Sequence, residues 1–287
     1  MPARLIVNAD DFGLTPGINR AIAELHTAGV LTSATLMANG PAFEDAVVTA
    51  HAYPTLGVGC HIVLTDGTPI SPPEKIPSLL GPDHKTFRPA LSSFVYALSR
   101  NQINQAEVEL EACAQIQRLH RTGIRITHLD THKHTHLFPT IARPLLAAAE
   151  AANIPAIRNP FEPTWSRALN QGGLFRRFAF AALSSLRPAF ESHPQILNHR
   201  IATTDGTLAI SATGDLTPTT LAQILAALPS TGTYELCCHP GYNDPDLDRI
   251  RTRLRTHRDI EREALLAIRA YNWTNERPVL CNYASLA

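Results

Sequence analysis

No stretch of this sequence approaches the roughly 20 consecutive apolar residues that cross a bilayer, so no transmembrane segment is expected. Charge of either sign is also missing in excess: 25 basic residues cancel 25 acidic ones over 287 positions. Duplex nucleic acid is bound by neutralising many phosphates, and a neutral chain offers no such footprint. Cysteine is scarce. Cys60, Cys113, Cys237, Cys238 and Cys281 are odd in number and contain no C-x-x-C pair. That argues against a disulfide framework and a zinc ribbon, and fits a reducing cytoplasm. The N-terminal MPARLIVNADD reaches charged residues without the apolar core of a signal peptide, so export is not expected. A glycine-rich phosphate loop is lacking too: NADDFG follows the first apolar run where G-x-G-x-x-G or a P-loop would stand, which disfavours nucleotide binding.

What the chain has is core-forming material, with 44% hydrophobic and 17% charged residues, which excludes a largely disordered protein. Short apolar runs at 5–7, 33–38, 56–64, 124–132, 154–158, 233–238 and 279–281 read as strands. Helical segments after Thr15 and at 41–52, 105–121, 140–152, 219–228 and 257–271 alternate with them. This alternation predicts a parallel α/β fold, and about seven strand–helix units predict one distorted (β/α) barrel, TIM-barrel-like, over residues 1–287. Between 159 and 214 the rhythm breaks, so that stretch reads as an inserted helical or irregular segment, or a lid. Within it Phe175, Phe178, Ala182 and Leu186 recur at helical spacing, flanked by Arg176, Arg177 and Arg187. A helix packed on the barrel is the favoured reading, and weak contact with a membrane surface or lipid substrate the alternative.

Barrel chemistry gathers just past the C-terminal ends of strands, and four polar clusters fall there. Asp10 and Asp11 end the first apolar strand, where two charges are costly unless used. His61 interrupts the apolar run 57–64. Thirteen histidines occur in the chain, four of them in His128-Leu129-Asp130-Thr131-His132-Lys133-His134-Thr135-His136. In a continuous strand His128, Asp130, His132, His134 and His136 would share one face. Burying several imidazoles there without a metal or a hydrogen-bond network is costly, but the spacing does not choose which of them meet an ion. His239, closing the apolar run 235–238, is a candidate proton donor. One aspartate and two imidazoles around a divalent ion leave open positions for water and substrate. Such a site acidifies water and polarises a carbonyl, the equipment for amide hydrolysis, although non-haem iron oxygenases use the same ligand types.

NADDFG, GVGCHIVLTDG, THLDTHKHTHLFP and ELCCHPG, in that order, together with LTSATLMANGPAFEDA, resemble the YdjC/ChbG family of carbohydrate deacetylases over nearly the whole chain. The resemblance implies a barrel-like fold, a homodimer, and removal of N-acetyl groups from amino sugars with one divalent metal, Mg²⁺ or Zn²⁺ with Co²⁺ also compatible. It makes Asp11, His61 and His132 the metal ligands, Asp10 the general base and His239 the general acid. His134, His136 and Arg158 are then the residues expected to face substrate. Thr131 stands where serine is usual and Cys237 where methionine is frequent, departures that bear on substrate rather than reaction. Lys133, PPEKIPSLL and IRNPFEP are similar to a branch associated with hopanoid biosynthesis and an N-acetylglucosaminyl lipid. Two other readings compete. An amidohydrolase would use His132-x-His134 as its H-x-H pair, although that pair is expected on the first strand. A non-enzymatic metal-storage or sensing protein would need neither Asp10 nor His239.

Overall fold

Each apolar run is followed by a segment long enough to carry the chain back across the sheet, so successive strands lie parallel. The computed structural model describes residues 2–169, 182–271 and 277–286. Seven strands occur among these residues: β1 (Arg4–Phe12), β2 (Ser33–Leu36), β3 (Gly57–Ile62), β4 (Ile126–Thr131), β5 (Gly206–Leu208), β6 (Thr233–Cys238) and β7 (Val279–Leu280). Their pairings are parallel, in the spatial order β4-β3-β2-β1-β6-β5. β7 sits beside the start of β1 at Arg4 and Leu5, while β2 pairs with β1 from Asn8 onward. One flank of β1 is thus shared end to end by two partners.

Residues 155–161 span the gap between β4 and β5. Leu129 N donates to Ala156 O and Arg158 N to Leu129 O on one side; Ile157 N donates to Ala202 O and Thr207 N to Phe161 O on the other. The sheet is curled, and an irregular segment closes it: a distorted barrel.

The helices begin and end on local chemistry. α1 (Pro16–Thr27) starts where Thr15 Oγ1 accepts the Ile18 N–H at 3.2 Å with Pro16 next to it, and it ends before Gly29 at φ +72°. The helix Gln105–His120 is capped in the same way by Asn104, whose Oδ1 accepts from Ala106 N at 3.0 Å. Along β1, Leu5, Val7 and Ala9 join the large core shared with the helices. Ile6 points the other way and joins Ala156 and Tyr283 in a small cluster of its own. Gly59 makes room for the interior: a Cβ there would lie 2.5 Å from the His128 ring.

Three expectations need correction. β4 ends at Thr131, and a 3₁₀ turn, His132–Leu137, follows with Lys133 at φ 56° and His134 at φ 51°. The five alternating residues therefore do not share a face. Residues 154–158 make isolated bridges, at Ala156 and Ile157, rather than a strand. The stretch 159–214 is not wholly an insertion, because β5 within it pairs with β6; three residues beginning with glycine carry too little strand signal to show. The expected Phe175–Leu186 helix falls mostly on residues 170–181, outside the described residues. Among the described residues no helix is long and apolar enough to cross a membrane.

Candidate metal centre and active site

Parallel pairing brings the ends of β1, β3, β4, β5 and β6 to one mouth. The β1–β2 register slips there by one residue, from Ala9↔Ala34 to Phe12↔Leu36, and Asp11 takes a left-handed φ of 64°. This bulge re-aims the strand. Adjacent carboxylates on a regular strand diverge, yet Asp10 and Asp11 both turn into the site.

Asp11 Oδ2 accepts from Arg258 Nη2 at 2.5 Å. Its Oδ1 lies 3.2 Å from His132 Nδ1 and 3.7 Å from His61 Nε2. These spacings bracket the edge of about 3.4 Å that a tetrahedral ion with bonds near 2.1 Å would require. The other nitrogen of His61, Nδ1, is 2.7 Å from Asp130 Oδ1, the carboxylate–histidine pairing that orients imidazole ligands. Asp11 Oδ1 and His61 Nε2 are buried and make no hydrogen bond. A carboxylate oxygen and a ring nitrogen, both without a partner and set together, fit a cation that displaces the nitrogen's proton.

The charge balance says the same. Asp10, Asp11, Asp130 and Glu235 are buried, with Arg158 and Arg258 the guanidiniums that pair with them, so these four carboxylates outnumber their arginine partners and favour a further positive charge in the site. Burial opposes ionisation of Asp11, but Arg258 first, with His132 and His239, holds its carboxyl well below the usual range. Burial likewise opposes charge on His61, yet Asp130, Asp10 and Asp11 push it up to about 9. His132 is lowered by burial toward the neutral form that ligates.

Asp10 is held by a fork. Arg158 Nη1 donates to its Oδ2 at 2.9 Å and Nη2 to its Oδ1 at 2.6 Å. Against the opposing effect of burial, Arg158 and the nearby His61 and His239 keep this carboxyl far below its ordinary range. His239 stands at the rim, its Nε2 3.8 Å from Asp10 Oδ2 and its backbone N–H donating to Glu261 Oε2 at 2.6 Å.

The expected substrate-facing residues separate. Arg158 is fully buried among Asp10, Asp130 and Glu235, so it positions Asp10 and has no open donor face for a sugar. His136 is buried as well. Its Nδ1 accepts from Thr131 Oγ1 at 2.7 Å and its Nε2 donates to Arg158 O at 3.2 Å, so both nitrogens are occupied and Nε2 holds the Arg158 backbone. Burial and Arg158 lower it to about 3. Thr131 needs only its hydroxyl for this, which serine shares. His134 is half-buried and lies beside Asp10 and Cys237, whereas His132 lies with Asp11 and His61. The H-x-H pair is therefore split between two groups. His132→Ala is expected to abolish tight cation binding and His134→Ala to leave the first equivalent in place, measured by calorimetric titration. Equal losses would return the H-x-H reading.

The sequence reading missed Arg258, Glu261 and Glu235 altogether. Glu235 had a signal: a carboxylate in the apolar run of β6, in register with Ile6 of the barrel interior. Arg258 had none, one arginine among many between 249 and 262.

A profile described as YdjC-like protein matches residues 4–283. A carbohydrate deacetylase from Geobacillus stearothermophilus is 32% identical over 86% of this chain and 83% of its own. Another from Thermoanaerobacter pseudethanolicus is 28% identical over 91% and 90%. One from Brevibacillus brevis reaches 43% identity, over 55% of this chain and 60% of its own. A crystal structure described as that of a cellobiose-phosphate cleavage protein from Enterococcus faecalis V583 covers both chains fully, with TM-score 0.81 and 29% identity. The chain belongs to the YdjC-like protein family.

Proposed function

We propose that the protein is a carbohydrate N-deacetylase that hydrolyses the acetamide of an N-acetylglucosamine-containing oligosaccharide or glycolipid, with one divalent cation held by Asp11, His61 and His132. The observation that carries the reading is the pair of orphaned ligand atoms, Asp11 Oδ1 and His61 Nε2, set beside Asp10 and His239 at one mouth. The names of the relatives support the substrate class. Five free cysteines support a cytoplasmic setting.

A bound cation would polarise the acetamide carbonyl and acidify a water. Asp10, ionised and fixed by the Arg158 fork, orients the attacking water and accepts its proton. Its low pKa makes it a weak base, so it holds that proton only briefly. His239, steadied by Glu261 at its backbone, delivers a proton to the departing amine. Acetate and the free amino sugar are the products.

Acetate release is measured on N,N′-diacetylchitobiose, free N-acetylglucosamine and an N-acetylglucosaminyl lipid, with and without chelator. Release from at least one substrate is expected, abolished by chelator and restored by divalent metal. Asp10→Asn should keep the cation and lose about 10²–10⁴-fold in rate, the contribution of a general base. No acetate from any substrate with metal-loaded enzyme would overturn the proposal, and an Asp10→Asn variant indistinguishable from wild type would favour metal storage.

A further inference from the structure

We propose that Asp10, His134 and Cys237 form a second, inhibitory cation site selective for thiophilic ions such as Zn²⁺ and Cd²⁺. The inhibition rests on the reading of Asp10 as the base; the site itself does not. One ligand atom from each of the three residues lies within 4.8 Å of the others, beside the Asp11–His61–His132 group but sharing no residue with it.

The geometry is that of a proton waiting to be exchanged. Cys237 Sγ donates to Asp10 Oδ2 across 3.5 Å. A tetrahedral zinc with a bond of about 2.3 Å to sulfur and 2.1 Å to oxygen sets those two atoms about 3.6 Å apart. A metal ion can therefore replace the thiol proton with almost no movement of either side chain. His134 supplies the third donor: its Nδ1 is buried and has no hydrogen-bond partner. The consecutive left-handed residues Lys133 and His134, at φ 56° and 51°, carry the imidazole into the site, a backbone cost retained only where the surroundings hold it.

Arg158 Nη1 also donates to Asp10 Oδ2, at 2.9 Å. That oxygen has two lone pairs, one for the guanidinium and one now facing the thiol. Arg158 is balanced further by Asp130 and Glu235, so its charge weakens the site without closing it. On binding, the S–H bond breaks, its proton leaves to solvent and a sulfur–metal bond forms, one proton out for one dication in. Hard ions gain little from sulfur and are not expected to compete. Occupation ties up the oxygen of Asp10 nearest His239 and stops turnover.

The test uses a Cys113→Ser/Cys281→Ser background, which removes the two thiols that are not buried. On Cd²⁺ titration the first equivalent should bring no sulfur-to-metal charge-transfer absorption, and the second should bring it. Cys237→Ser should abolish that band, and His134→Gln should weaken binding of the second ion while leaving the first. In activity assays Zn²⁺ should activate up to one equivalent and then inhibit about 100-fold in excess, the scale of losing a general base, with no inhibition by excess Mg²⁺. Cys237→Ser should lack the inhibitory phase relative to its own one-equivalent rate. A second equivalent without a sulfur band, a band that survives Cys237→Ser, or undiminished zinc inhibition in that variant overturns the site. Absence of any deacetylase activity with the band intact would instead count against the proposed function alone.

Discussion

Arg158→Met is expected to destabilise the fold by about 3–5 kcal/mol, the cost of stripping one partner from a buried ionic cluster, and to leave almost no activity. Arg158 is fully buried, and its guanidinium pairs with Asp10, Asp130 and Glu235. Methionine fills similar space but leaves three carboxylates facing one another at low dielectric. For a chain of this size the loss corresponds to a fall of about 5–8 °C in melting temperature. The pH dependence gives the cause away. Burial already raises Glu235 above its ordinary value, with Arg158 pulling it back down. Without Arg158 it rises further, so the folded state takes up a proton that the unfolded chain releases. Such a group destabilises the fold at high pH, and the destabilisation disappears as pH falls. Thermal and urea melts should therefore show a larger loss at pH 8 than at pH 5. Glu235→Gln added to Arg158→Met should recover part of the difference at pH 8. Arg158→Lys should restore some stability but little activity, since a point charge cannot hold both oxygens of Asp10 as the fork does. An equal loss at both pH values would mean that cavity and packing, not charge, decide the cost.

The same residue marks where the sequence stops being readable. Arg158 follows an apolar run and precedes a loop, the position of a substrate-facing cation. Its burial depends on Glu235 and Asp130, which only the closed barrel brings to it. His136 fails for a local reason: the alternation that would place it beside His132 is broken by two left-handed residues that no β-propensity anticipates. Asp10 and Asp11 were visible as charges ending a buried strand, but their shared direction needs the slip in register against β2, a property of a pair of strands. Strand–helix alternation was legible because each long run carries its own period. β5 was not, because Gly206–Leu208 has no room for one. Arg258 pins Asp11 from the helix Thr256–Ala267, and nothing near it in the sequence distinguishes it from its neighbours.

Cation affinity at the Asp11–His61–His132 group is expected to rise with pH, about tenfold per unit, up to the pH where His61 loses its own proton. Burial works against a charged His61, but Asp130, Asp10 and Asp11 outweigh it and raise the imidazole to about 9. Below that pH both ring nitrogens of the cation-free His61 carry a proton, and binding must expel the one on Nε2 while Nδ1 keeps its own for Asp130. Asp10 behaves oppositely: despite burial, Arg158 keeps it ionised throughout the working range, so it adds no acid limb to the rate. At limiting metal the acid limb of activity should then follow cation loading and move about one unit lower for each tenfold rise in metal concentration. A limb set by a carboxylate base would not move. Titration with Co²⁺ at pH 6, 7 and 8 in weak buffer should release about one proton per ion, with the apparent association constant climbing accordingly. Asp130→Asn sharpens the test. It removes the charge that does most to raise His61 and leaves only a neutral amide oxygen to orient it, so affinity should drop about 10–100-fold, as when the carboxylate behind a ligating histidine is lost. The pH slope below neutrality should flatten at the same time. Affinity that is independent of pH in the wild type would place the ion on groups other than His61.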